Sequence, residues 1–229
     1  MSSFPGDTYS AVLFDLDGTL VDTAPDMVAV LQSLQEDHGL EPAGYHEGRS
    51  YVSNGAVGLL RFGFPDRDDD AIETLRLAYL ERYAEQLCVH SAIFAGLDSL
   101  LDRLDSDGLP WGVVTNKPQY LTDPLLVALG LDQRVACSVS GDTLPQRKPD
   151  PAPLHHACKL VAVDAARTLY LGDSSRDIDA GRAAGMGTIA AAYGYIAPGD
   201  SSASWGADAI ANDTQELAQI VLKAVNLHT

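Results

Sequence analysis

Two aspartates stand one residue apart in Asp15-Leu16-Asp17-Gly18-Thr19-Leu20, directly after the apolar stretch Ala11-Val12-Leu13-Phe14. At the end of a buried strand such a pair is costly, because both carboxylates are partly desolvated and repel each other. A chain keeps them where a cation or a chemical task offsets that cost. Three later segments supply the complementary groups: Thr115-Asn116-Lys117-Pro118, Arg147-Lys148-Pro149-Asp150-Pro151 and Gly172-Asp173-Ser174-Ser175-Arg176-Asp177. Asp15, Asp173 and a backbone carbonyl near Asp17 offer hard oxygen ligands suited to Mg²⁺. Such an ion would hold a phosphorus atom in front of an Asp15 oxygen, ready for in-line attack. The Thr115 hydroxyl, nearby backbone N–H groups and the Lys148 ammonium would take the equatorial oxygens. Asp17 would protonate the leaving alkoxide and then accept a proton from water. Gly18 lets the chain turn close to the phosphate with no Cβ in the way. The pattern is that of phosphoryl transfer.

Each fragment alone is weak. Asp-Gly turns are common, Gly172-Asp173 also suits a helix cap, and Lys148-Pro149 also suits a plain loop. What unites them is position. Candidate strands are Ser10–Phe14, Trp111–Thr115, Cys137–Val139, Thr168–Leu171, Thr188–Ala191 and Ala209–Ile210, and the motifs follow the first four. Helical patterns lie between them: Leu97–Asp107, Gln119–Leu129, Pro151–Val161, Ser175–Ala184 and Asp213–Val225. Continuously apolar strands separated by single helices predict a parallel α/β sheet with helices on both faces. The carboxyl ends of such strands form the ligand crevice, so Asp15, Asp17, Thr115, Lys148, Asp173 and Asp177 are expected to converge there.

One interval breaks the alternation. Between Leu20 and Ala92 no strand-like run appears, only helical patterns. One runs from Thr23, as cap with Pro25 in the first turn, to His38 before Gly39. A second starts near Ser53-Asn54. A third follows Asp66–Asp70 and carries Ile72, Leu75, Leu80 and Tyr83 towards Leu87. The acidic run suits a solvated cap complementing the helix dipole better than a calcium loop, since Ala71 and Leu77 stand where such a loop needs Gly and Glu. An all-helical insert after the first strand reads as a cap. The expected division is a core of residues 1–21 and 92–229 and a cap of residues 22–91, which controls access.

The formal net charge of −17 argues against nucleic-acid and membrane partners, which need a basic footprint. It also repels an anionic substrate, so a local positive site is required, and Lys148 with the cation would supply it. No apolar run reaches membrane-spanning length, and Met1–Asp7 lacks the features of a signal peptide. Cys88, Cys137 and Cys158 have no metal-type spacing and suit reduced thiols in a cytoplasm. Gly185 and Gly187 follow a helix instead of opening one, so no nucleotide cofactor is expected. The expected partner is a small-molecule phosphate; the oligomeric state is left open.

With these motifs in place the chain resembles the haloacid dehalogenase superfamily, in its phosphoglycolate phosphatase-like branch with a helical cap. The resemblance spans essentially the whole chain. It implies a Rossmann-like parallel-sheet core, an aspartyl-phosphate intermediate, Asp15 as nucleophile, Asp17 as general acid and base, Thr115 and Lys148 as phosphate-side groups, and Asp173 as metal ligand. Asp177 would orient metal-bound water or Lys148. The second carboxylate, Asp17, points to phosphate rather than haloacid chemistry. Outside the shared motifs, Glu81-Arg82-Tyr83, Val89-His90-Ser91, Trp111–Pro118, Tyr193-Gly194-Tyr195-Ile196 and Trp205-Gly206-Ala207-Asp208 are similar to the N-acetylmuramic acid 6-phosphate phosphatases of peptidoglycan recycling. Phosphoglycolate is the alternative substrate, and a phosphomutase or a silent binding module on the same fold are the alternative classes.

Specificity is expected in the cap. Arg49-Ser50-Tyr51-Val52-Ser53-Asn54-Gly55 resembles the loop that such caps press onto the site. Arg49 is expected to pair with a substrate carboxylate, and Ser53, Asn54 and Gly55 to face the substrate at a helix start. Asn116 and Lys117, beside Thr115, are placed on the substrate side as well.

Overall fold

The computed structural model describes residues 9–227. Met1–Asp7 and His228 lie outside them. β1 (Ala11–Phe14) leads through a short β2 (Val21–Asp22) into α1 (Ala24–Asp37), α2 (Tyr45–Arg49), α3 (Gly55–Gly63) and α4 (Asp69–Glu85). The chain returns through β3 (Ala92–Ile93) to α5 (Leu97–Ser106), β4 (Trp111–Val114), α6 (Gln119–Ala128) and β5 (Cys137–Val139). It continues with α7 (Ala152–Val161), β6 (Thr168–Gly172), α8 (Ser175–Ala184), β7 (Gly187–Ala191), β8 (Ala209–Ala211) and α9 (Thr214–Ala224). The apolar runs read as strands are strands, with ends shifted by a residue at most.

They form a six-stranded sheet in the order β5-β4-β1-β6-β7-β8, every pairing parallel. Central β1 is flanked by β4 and β6, with Val12 opposite Trp111 on one side and Leu169 on the other. Alternate side chains divide between two faces. Val12, Phe14, Trp111, Val113, Leu169 and Leu171 pack into a core shared with α5, α6 and α9. Leu13, Val114, Val139 and Tyr170 pack against Leu154 and Ala157 of α7 and Ala180 and Ala184 of α8. Burial on both faces explains why these strands are short and continuously apolar.

The chain builds outward from β1 through β4 to β5, then crosses to β6 and builds the other way. The carboxyl ends of β1, β4 and β6 therefore border a topological switch point, where open parallel sheets leave a crevice. Helices α1 to α4 pack on one another above it: Tyr79 of α4 donates to the Met27 carbonyl of α1 at 2.8 Å, and Gln35 of α1 donates to the Gly63 carbonyl at 2.9 Å.

Three local expectations need correction. The interval after Leu20 is not wholly helical, because β2 pairs antiparallel with β3, Val21 opposite Ile93. Two-residue strands carry no periodic signal. The short α2 also lacks one. Thr23 precedes α1 but its hydroxyl caps no backbone amide; it donates to Asp17 Oδ1 at 2.6 Å. By contrast, Asp68 of the acidic run does cap a helix, accepting from the Ala71 amide at 2.9 Å at the start of α4.

Candidate active site

Four strand ends deliver the chemistry. Asp15 follows β1 and its amide donates to the Leu171 carbonyl at 2.8 Å, which extends the β1–β6 ladder and fixes where the carboxylate emerges. Thr115 follows β4 in the same way, its amide bonded to the Val139 carbonyl at 2.9 Å. Lys148 comes from the loop after β5, and Asp173 follows β6.

Lys148 is the hub. Its side chain is 2% exposed, and Nζ lies 2.7 Å from Asp15 Oδ1 and 2.7 Å from Asp177 Oδ1. It also donates to the Val114 carbonyl at 2.9 Å and the Tyr170 hydroxyl at 2.8 Å. Burial disfavours the ammonium, but the two carboxylates more than offset this and hold Lys148 above its ordinary pKa. Its backbone is clasped by the Asn116 side-chain amide, which donates to the Lys148 carbonyl at 3.0 Å and accepts from the Lys148 amide at 3.1 Å. Asn116 thus lines the cavity, and its amide places the lysine.

Asp15, Asp173 and Asp177 each present a carboxylate oxygen within 4.8 Å of the others. Their surroundings differ. Asp177 is saturated: besides Lys148, it accepts from the Ser174 amide at 3.1 Å and hydroxyl at 2.7 Å in a reciprocal cap of α8. Asp173 Oδ2 accepts from the Ser53 hydroxyl and the Tyr195 amide, both at 2.7 Å, whereas its Oδ1 is buried with no hydrogen-bond partner among the described residues. Burial, followed by the charges of Asp15 and Asp177, pushes Asp173 up to about 8. Burial also raises Asp15, to about 6, although Lys148 pulls the other way. A buried carboxylate oxygen with no donor, facing a second carboxylate, calls for a cation. Asp15 and Asp173 fit a hard divalent ion, with Asp177 close by but occupied by its own bonds.

Gly18 is required by its own close neighbours. It has φ +87°, and a Cβ there would lie 2.1 Å from Asp173 Oδ2 and 2.8 Å from the Tyr195 ring. The missing side chain makes room for Asp173 and the Tyr195 ring.

Asp17 lies beside this cluster. Its Oδ1 accepts from Thr23 Oγ1 at 2.6 Å and from Lys117 Nζ at 2.9 Å. The Thr115 hydroxyl accepts from the Lys117 amide at 3.1 Å. Asp15, Asp17, Thr115 and Lys148 line a cavity of about 580 Å³ that extends between the sheet ends and the helical block. Ser53, Asn54, Gly55 and Val57 line it from above, with Arg76, Tyr79, Leu80 and Tyr83 of α4.

Arg49 is not brought to that cavity. Its guanidinium donates to the carbonyls of Gly194 and Tyr193, both at 3.0 Å, and stacks 4.7 Å from the Tyr195 ring centroid. It clasps the helical block to the core. Arg176 makes a second clasp, donating to the Ser53 carbonyl. Tyr195 joins the two regions, because its hydroxyl donates to Asp22 Oδ1 at 2.7 Å and accepts from the Ala24 amide at 3.0 Å. In sequence, Tyr195 stood out only through resemblance, and Tyr170, Thr23 and Arg76 carried no signal of site membership.

An acidic trio, a buried lysine and a hydroxyl at the switch point of a parallel sheet define an α/β enzyme of anionic esters. Residues 12–191 match the haloacid dehalogenase-like hydrolase family model, and the chain belongs to that family. It is a phosphatase. The chain is 43% identical over 216 residues to an N-acetylmuramic acid 6-phosphate phosphatase of Pseudomonas putida, covering 94% of this chain and 97% of that one. It is 42% identical over 207 residues to a phosphoglycolate phosphatase of Xanthomonas campestris pv. campestris, covering 90% and 94%. The crystal structure of a predicted phosphoglycolate phosphatase from Haemophilus somnus 129PT superposes with a TM-score of 0.82 at 29% identity, covering 94% and 99%.

Proposed function

We propose that the chain is a Mg²⁺-dependent phosphomonoester hydrolase working through an aspartyl phosphate, with N-acetylmuramic acid 6-phosphate as its preferred substrate. The observation that carries the class is the approach of Lys148 to Asp15 beside a carboxylate trio with an unsatisfied buried oxygen. In this reading Asp15, Asp173 and the Asp17 backbone carbonyl hold the ion. When bound, Mg²⁺ neutralises the facing carboxylates and a phosphate oxygen. Lys148 and Thr115 bind the remaining charge of the phosphoryl group, and an oxygen of Asp15 attacks phosphorus as the ester oxygen leaves. Asp17 gives that oxygen its proton, then takes one from the water that hydrolyses the aspartyl phosphate. Asp177 keeps Lys148 pointed at Asp15. Residues 22–91 act as a cap over the core of residues 1–21 and 92–229.

The substrate assignment rests on size and charge. Phosphoglycolate is a two-carbon acid, and it leaves most of a cavity of about 580 Å³ unfilled. A muramic acid phosphate brings a sugar ring, an acetamido group and a lactyl carboxylate. Met27, Val57, Leu80 and Leu121 offer apolar wall for its methyl groups, and Arg76 and Arg147 offer positive charge for its carboxylate. The closely similar P. putida relative named for this substrate supports the same choice. Phosphate release should be measured across N-acetylmuramic acid 6-phosphate, 2-phosphoglycolate and hexose 6-phosphates. A higher kcat/KM for the first is expected, and a preference for phosphoglycolate would reverse the assignment.

A further inference from the structure

Lys117 is the second buried lysine of the site, and its partners do not suit a substrate ligand. Its side chain is 5% exposed, and Nζ donates to Asp17 Oδ1 at 2.9 Å and to the Tyr83 hydroxyl at 2.9 Å. It also lies 4.6 Å from the centroid of the Tyr83 ring. Asp17 and Lys117 belong to the loops after β1 and β4, whereas Tyr83 sits near the end of α4 in the helical block, almost wholly buried. Asp17 Oδ1 takes a second bond, from Thr23 Oγ1 at 2.6 Å, and Thr23 is the residue leading into α1.

One oxygen of Asp17 is therefore fully engaged, and both of its donors depend on the helical block. Thr23 belongs to the entry to that block. Lys117 is rooted in the core loop after β4 and its ammonium is shared between the carboxylate and Tyr83 of the block; a long flexible ammonium side chain keeps one geometry only when its far contacts hold it. Fixing Oδ1 fixes the plane of the carboxylate and leaves Oδ2 as the oxygen that exchanges a proton with the substrate.

We propose that Lys117 and Tyr83 form a positioning pair that orients Asp17 for proton transfer only while the helical block is docked on the core. This rests on the phosphatase reading with Asp17 as general acid, and it replaces the expectation that Lys117 contacts substrate. Docking of the block then does more than cover the cavity: it assembles the acid, so that an open enzyme is a poor catalyst for esters whose leaving group needs a proton.

Leaving-group dependence separates this from a merely structural stitch. p-Nitrophenolate departs without protonation, whereas a sugar alkoxide does not. The test compares kcat/KM, which reports phosphoryl transfer and leaving-group departure, for p-nitrophenyl phosphate and glucose 6-phosphate with Mg²⁺ present. Tyr83→Phe keeps the ring and removes the hydroxyl; Lys117→Met keeps the length and removes the charge. Both are expected to lose about tenfold more on the sugar phosphate than on the aryl phosphate. Equal losses on the two esters would overturn the proposal, and so would wild-type rates on both. If Lys117→Met does not fold, Tyr83→Phe decides by the same ratio. Absence of phosphate release by the wild-type enzyme from these two esters, from N-acetylmuramic acid 6-phosphate and from 2-phosphoglycolate alike would overturn the phosphatase reading as well.

Discussion

The Asp26 carboxylate accepts hydrogen bonds from the Ser91 amide at 2.8 Å and the Ser91 hydroxyl at 2.6 Å. The same carboxylate takes the amides of Val89 and His90, at 3.0 and 2.9 Å. Asp26 lies in the first turn of α1, and residues 89–91 are the return from α4, so one buried side chain ties the entry of the helical block to its exit. Backbone N–H groups converging on a charge are strong partners, and losing the charge leaves them unsatisfied. Asp26→Ala should destabilise the protein by about 3 kcal/mol and Ser91→Ala by about 1 kcal/mol. Urea unfolding of both variants checks this; a near-neutral Asp26→Ala would show that water replaces the carboxylate readily.

Asp15→Asn tests the nucleophile. The amide is nearly isosteric, and Lys148 keeps Asp177 as its ion pair, so the fold should persist. Turnover should fall by about 10³-fold or more, because no other group replaces the attacking oxygen. Phosphate release and a thermal melt on the same sample give the answer, and retention of a tenth of the activity would place the nucleophile elsewhere.

Stability without metal should fall as pH rises. With its pKa raised to about 8 by burial and the neighbouring Asp15 charge, folded Asp173 keeps a proton that the unfolded chain loses near the ordinary value of 3.8. The folded state then binds more protons than the unfolded one between about pH 4 and 8, so stability is greatest below that window. It declines by about 1 kcal/mol per pH unit through it. A divalent ion competes with that proton. In chelator, Tm should drop from pH 5 to pH 8, and added Mg²⁺ should raise Tm more at pH 8 than at pH 5. Asp173→Asn should flatten the profile while abolishing activity. A Tm independent of pH in chelator would mean that the trio is solvated.

Two arginines should separate in their kinetics. Arg49 donates to the Tyr193 and Gly194 carbonyls and does not face the cavity, so Arg49→Ala should lower kcat/KM about equally for acidic and neutral sugar phosphates. Arg76 lines the cavity and, among the described residues, is paired only with Glu73 on its own helix, an exposed pair that a ligand carboxylate can displace. Arg76→Ala should lower kcat/KM about tenfold more for N-acetylmuramic acid 6-phosphate than for glucose 6-phosphate. Parallel losses for the two substrates would remove Arg76 from recognition of the carboxylate.

Much of this molecule is written locally in its chain. Each strand of the main sheet is a short apolar run, and each motif sits at the end of one, because burial on both faces and emergence at a carboxyl edge both leave marks on consecutive residues. Parallel pairing then had to gather Asp15, Thr115, Lys148 and Asp173. Partners across the fold left no such mark. Arg49 looked like a reader of substrate because its neighbours resemble a specificity loop, yet its guanidinium is held by carbonyls about 145 positions away. Lys117 lines the cavity beside Thr115, as its place in the chain suggests, but nothing local shows that its ammonium bridges Asp17 to a tyrosine on α4. Thr23 has the residue type of a helix cap, and only the approach of Asp17 decides where its hydroxyl points.

Composition and order along the chain determined which groups are present and which strand end each one leaves. Tertiary packing alone decided which donor meets which acceptor. A side chain's hydrogen bond depends on ångström-scale placement of distant backbone, and residue type does not encode that placement.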